Sequence, residues 1–161
     1  MSSQLNLAVE YTVLDTGEID LLQPLWEKLN AHHAGISSNF SEELNARRFQ
    51  DRKSQLLGDD KRVHILLVTA SGIQNPIGYS IVSTTSSGGG EIDSMFVEED
   101  YRNSGIGTSL MKLSLAWLDE CGATAKSVIV LFENTDALGF YARFGFLPRS
   151  VNLFQKKQPQ L

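Results

Sequence analysis

The segment from Glu91 to Thr108 constrains this chain more than any other. It reads as a strand, Glu91–Val97, then a short turn, then an Arg102-x-x-Gly105-x-Gly107 loop that opens a helix. Backbone N–H groups at a helix N-terminus have no partner inside the helix, and the macrodipole favours negative charge there. Glycines allow close approach of a bound group because no Cβ intervenes. The loop is therefore a candidate phosphate or pyrophosphate site.

The elements around it set a fold class. Leu5 to Leu14 is a first strand, and a helix capped by Asp15 or Thr16 runs to about His33, with Leu22, Leu25, Trp26 and Leu29 as its buried stripe. Pro24 suits a start near Leu22. A second helix begins at Ser41 and puts Ala46, Phe49 and Leu56 on one face, with Leu44 off that line. Val63–Ala70, Ile77–Thr85 and Glu91–Val97 form consecutive strands. A helix over Gly105–Cys121 carries Ile106, Leu110, Leu113 and Trp117 on one stripe, and Gly122 ends it. Ser127–Phe132 is a buried strand, Thr135 or Asp136 opens a helix that Gly145 stops, and Phe146–Gln155 is a last strand.

The order β-α-α-β-β-β-α-β-α-β mixes hairpins with strand–helix–strand units. That predicts an α/β protein with a mixed sheet and helices on both faces. At 161 residues, with no repeat and no long linker, one domain over 1–161 is expected.

Several chemistries lack support. Gly105-Ile-Gly107 has two glycines of a dinucleotide fingerprint but not the third, and no Gly-Lys-Ser/Thr follows. No His-Glu-x-x-His, Cys-x-x-Cys or Gly-x-Ser-x-Gly pattern occurs, so neither a metal site nor a serine or cysteine nucleophile is expected. A formal charge of -5 argues against nucleic-acid binding and suits a cationic substrate better than an anionic one. The lone cysteine, Cys121, cannot form an internal disulfide. The N-terminus shows no signal-peptide pattern, and no apolar run is long enough to span a bilayer. A cytoplasmic location is the expectation.

A second motif, Asn134-Thr-Asp-Ala137-Leu-Gly-Phe-Tyr141-Ala-Arg-Phe-Gly145-Phe146, follows the predicted Ser127–Phe132 strand. With the Arg102-x-x-Gly105-x-Gly107 loop and the strand before it, this segment resembles the GNAT superfamily of N-acetyltransferases over roughly residues 62 to 150. One departure is Glu99, where many members carry proline.

The resemblance implies that Arg102, Asn103, Ser104, Gly105, Ile106, Gly107 and Thr108 cradle the pyrophosphate of acetyl-coenzyme A. It implies pantetheine contacts from Phe96 and Val97, an oxyanion donor in the Met95 N–H, and a place for Asn134 beside the cofactor arm. Tyr141 stands where many members keep a tyrosine that protonates the departing thiolate. Glu91 and Asp93, two apart on one strand face, are the candidates for the base.

Each has a plainer reading: Tyr141 as a packed aromatic, Glu91 as a solvated strand residue, Arg102 as a screen for phosphate charge, Asn134 as a helix cap. The basic cluster Arg47, Arg48, Arg52 and Lys53 reads as solvated, and His32, His33 and His64 show no partner in the sequence.

The expected activity is acetyl transfer to a primary amine of a small molecule or protein, by direct attack. The competing expectations are a non-catalytic acyl-coenzyme A-binding regulator and a protein-interaction module. A homodimer is a further possibility, common among the proteins it resembles.

Overall fold

The computed structural model describes residues 7–58 and 60–156. Five strands form one sheet in the order β1-β2-β3-β4-β5: Val9–Leu14, Lys61–Ala70, Gly78–Thr85, Gly89–Val97 and Ala125–Val128. The first four pair antiparallel and β4 pairs parallel with β5, which gives the expected mixed sheet. The first two positions expected of β1, Leu5 and Asn6, lie outside the described residues.

Two helical layers cover the sheet. On one face, Leu22, Leu25, Trp26, Phe49 and Leu56 pack with Leu14, Ile65, Ile81 and Phe96. A 3-10 turn over Thr16–Leu22 leads into α1 (Gln23–Ile36), with Pro24 in its first turn, where a missing N–H costs no hydrogen bond. The expected second helix is two pieces, α2 (Ser41–Asn45) and α3 (Phe49–Leu56). The break turns Leu44 inward and leaves Ala46 exposed, which exchanges these two, while Phe49 and Leu56 are buried as expected. Burying a side chain such as Leu44 contributes about 2 kcal/mol, so the chain gains by bending there.

On the other face lies α4 (Ile106–Glu120), with Ile106, Leu110, Met111, Ser114 and Leu118 buried. Leu113, expected in the stripe, is exposed, and Trp117 is half-buried and stacks on His64 with ring centroids 5.0 Å apart. The helix is apolar on several sides, so periodicity admits more than one stripe. The sheet selects the one that meets Val82 and Ile92.

α5 (Thr135–Ala142) follows β5. Here two expectations fail. The strand expected to Phe132 ends at Val128, with Ile129 and Phe132 exposed, and the strand expected over 146–155 has no regular structure. β5 is the outermost strand, and among the described residues it has no neighbour on its far side to hold either segment.

Candidate active site

The pairing of β3 with β4 steps from Ile81↔Ser94 to Val82↔Ile92, so Asp93 is an extra residue and β4 carries a bulge there. The bulge changes which way the strand looks. Ile92 packs on the α4 side, and so does Met95, three residues on. A regular strand would put them on opposite faces.

Backbone direction follows from one hydrogen bond. Glu98 N–H donates to Ile77 C=O at 2.8 Å, so the pair beside it, Gly78↔Val97, has its polar groups turned away from β3. By the same alternation, Met95 N–H points away from β3 too. The pairing of β4 with β5 ends at Ile92↔Val128, so the Met95 and Val97 amides face the widening gap between these strands. The Val97 C=O on that edge accepts from Arg102 Nε at 2.8 Å.

The gap leads to the N-terminus of α4. Gly105 holds φ +87°, a left-handed conformation that strains residues with a Cβ, and Asn103 has φ +60°. Ser109 N–H donates to Gly105 C=O at 3.0 Å, so Ile106, Gly107 and Thr108 have no partner for their N–H groups within the helix. A hydroxyl bond from Ser104 to the Tyr101 carbonyl shapes the turn. Gly107 has a different task from Gly105: a Cβ there would stand 3.3 Å from the Phe140 ring, so its bareness lets α5 close on α4. Arg143, not singled out in the sequence, donates to Thr108 Oγ1 at 3.2 Å and adds a second guanidinium near this helix start. Three unpaired amides, a helix dipole and two nearby guanidinium groups suit a pyrophosphate. The two amides facing the gap suit an extended arm with amide groups of its own.

The face of the bulge away from α4 is charged and largely dry. The Asp93 side chain is 1% exposed and lies 3.7 Å from Lys61 Nζ, and its Oδ2 has no hydrogen-bond partner. Burial pushes its carboxyl above the usual range, while the Ser83 hydroxyl, Lys61 and Arg52 oppose that shift. Glu91 is half-buried, and its carboxyl is also raised, first by burial and then by the charge of Asp93. Arg52, expected to be solvated, donates to the Asp93 C=O at 2.8 Å and joins α3 to the bulge. Lys53, from the same cluster, pairs with Asp20 at 3.0 Å. Sequence offered no signal for the Arg52 contact, because the partner is a backbone carbonyl 41 positions away.

Tyr141 packs between Phe140 and Phe146, with ring centroids at 5.2 and 6.2 Å, and burial pushes its hydroxyl up to about 12. Asn134 Oδ1 accepts from Ala137 N–H at 3.2 Å and so caps α5. The Phe96 side chain is buried in the core against the α1 and α3 layer, and by the same alternation its N–H and C=O face β3 rather than the gap. Of the site residues read from the sequence, Met95, Val97 and the loop 102–108 therefore line one continuous path. Glu91 and Asp93 share a pocket of charge on the sheet's other face.

Comparison with known proteins gives the family. Residues 25–146 match the acetyltransferase (GNAT) family, and the chain belongs to it. That family is one of acetyltransferases. The peptidyl-lysine N-acetyltransferase YjaB of Salmonella typhimurium is 26% identical over 130 residues, covering 80% of this chain and 77% of that protein. An uncharacterized N-acetyltransferase of Methanocaldococcus jannaschii, MJ1207, is 36% identical over 61 residues, 38% of this chain but only 27% of that relative's length. In fold, the chain is similar to the aminoglycoside N-acetyltransferase AAC(6')-Iy solved with coenzyme A, with a TM-score of 0.64 at 17% identity, covering 97% of this chain and 99% of that one.

Proposed function

We propose that this chain transfers the acetyl group of acetyl-coenzyme A directly to a primary amine, on a small molecule or on a protein. The observation that carries the reading is the path of unpaired amides, Met95 and Val97 in the gap and Ile106 to Thr108 at the start of α4. The acceptors named for the relatives, a peptidyl lysine and an aminoglycoside, are both amines.

In this reading the thioester carbonyl lies against Met95 N–H. The acceptor nitrogen must be neutral to attack, so Glu91 takes its proton through water. The new C–N bond forms as the carbonyl oxygen gains charge, and the fixed Met95 amide meets that charge. The C–S bond then breaks, and Tyr141 gives its proton to the departing thiolate. A hydroxyl held near 12 keeps its proton at neutral pH, as an acid needs.

The proposal assigns the base to Glu91 rather than Asp93. Asp93 is shut away from solvent and bound to Lys61 on one side, with its carbonyl bound to Arg52 on the other. Its role is to hold the bulge that turns Met95 N–H into the gap.

A panel of amines, including lysine peptides and aminoglycosides, incubated with acetyl-coenzyme A and a thiol reagent tests the reading. Amine-dependent thiol release is expected. Stabilisation by coenzyme A with no release for any amine would instead make the chain a binding regulator. No stabilisation at all would leave an interaction module.

A further inference from the structure

The break between α2 and α3 leaves a cavity of about 500 Å³ against α1. That volume falls within the range of small-molecule sites. Gln23, Trp26, Glu27 and Asn30 line it from one face of α1, and Arg47 and Phe49 line it from the break. The Trp26 and Phe49 rings, both buried, have centroids 5.6 Å apart and give the cavity an aromatic floor. None of the lining residues belongs to the path of amides or to the Glu91 and Asp93 pair.

The basic cluster on this segment is taken up except at one residue. Arg48 pairs with Asp51, Lys53 pairs with Asp20, and Arg52 holds the Asp93 carbonyl. Among the described residues Arg47 has no ion pair. Glu27, from α1, has none either, and its carboxylate accepts only from Gln23 Nε2, at 2.9 Å. Asn30 is 9% exposed, and its Nδ2 donates to the Leu44 carbonyl at 2.8 Å. No described residue donates to its Oδ1, and a polar atom so nearly buried calls for a partner. A guanidinium, a carboxylate and an amide oxygen around an aromatic floor complement a ligand with a carboxylate, an ammonium and an apolar body. A simple anion would meet like charge at Glu27, and a simple cation would meet it at Arg47.

We propose that this cavity binds a free amino acid with a large apolar side chain. Arg47 takes its carboxylate, Glu27 and the Asn30 amide oxygen take its ammonium, and the side chain lies on Trp26 and Phe49. Binding there does not depend on the acetyl-transfer reading.

Calorimetric titration of the full chain with L-phenylalanine, in the absence of acetyl-coenzyme A, tests it. Saturable binding at one site is expected. Hydrocinnamate lacks the ammonium, phenethylamine lacks the carboxylate, and glycine lacks the apolar body. Each should bind at least about ten-fold more weakly. Arg47→Gln and Glu27→Gln fall at exposed positions, so both should keep the parental melt. Each should lower phenylalanine affinity at least about ten-fold. The preference over phenethylamine should vanish in Arg47→Gln, and that over hydrocinnamate in Glu27→Gln. Phenylalanine seated at the acetyl-transfer site instead would ignore both substitutions and respond to Glu91→Gln. Absence of saturable binding, equal affinity for either phenyl analogue in the parent, or unchanged phenylalanine affinity in either variant would each overturn the proposal.

Discussion

Arg52 Nη2 donates to the carbonyl of Asp93 at 2.8 Å, and this bond ties α3 to the one irregular point of β4. The carbonyl at a bulge has left the ladder, so the guanidinium replaces a strand partner. Hydrogen bonds from a charged group contribute about 1.5–3 kcal/mol. Arg52→Ala should therefore lower kcat/KM by about ten-fold or more through misplacement of Met95 N–H. Coenzyme A affinity should stay within a factor of about two, since the α4 loop is untouched. Calorimetric titration beside steady-state kinetics separates the two effects, and equal losses in both would show that Arg52 does not act on the bulge alone.

Tyr141→Phe keeps the ring that packs against Phe140 and Phe146 and removes only the hydroxyl. Turnover should fall about 10²–10⁴-fold with coenzyme A affinity unchanged. Unaltered turnover would remove Tyr141 as the acid.

The pH profile distinguishes the two carboxylates. Glu91 must be ionised to act as base, so kcat/KM should rise with pH through a value above the ordinary 4.5. Glu91→Gln should abolish that limb. Asp93→Asn removes a negative neighbour that raises the Glu91 pKa, so the limb should persist and move to lower pH. A limb that vanishes in Asp93→Asn and survives in Glu91→Gln would exchange their roles.

The two loop glycines should fail differently. Gly105→Ala meets open space but forces a Cβ into φ +87°, which costs about 1–2 kcal/mol and lowers the melting temperature. Gly107→Trp collides with the Phe140 ring and displaces α5, so it should lose both stability and coenzyme A affinity. Denaturant melts with and without coenzyme A measure both, and a Gly107→Trp protein of parental stability would contradict the packing role.

His33 supplies a stability test. Burial, with His32 and Arg47 nearby, pushes it down to about 4. The unfolded chain binds the proton at 6.5, so between about 4 and 6.5 the unfolded state is the more protonated. Stability from this group is complete above 6.5 and is lost as pH falls through that window. His33→Gln should flatten the slope there in melts taken across pH.

Local features carried most of what could be read from the chain. The free amides at the start of α4 and the capping Asn134 each depend on residues within a few positions, so sequence spacing shows them. The strands of the central sheet were also legible, because their apolar runs are bounded by turn residues. Periodicity failed where it was ambiguous: α4 has apolar residues on several sides, and the segment 41–56, read as one helix, is two.

The sequence by itself determined the glycine loop with its unpaired amides and the αβ alternation that delivers it, because backbone conformation and hydrogen-bond vacancy are short-range properties. Only the tertiary structure decided the direction of Met95 N–H, the seclusion of Asp93 and the contact of Arg52. Each depends on the register of β3 against β4, and a single extra residue there inverts the facing of everything beyond it. The exposure of Ile129 and Phe154 was decided there too, since burial of a strand depends on whether another strand reaches its edge, and no local signal records that.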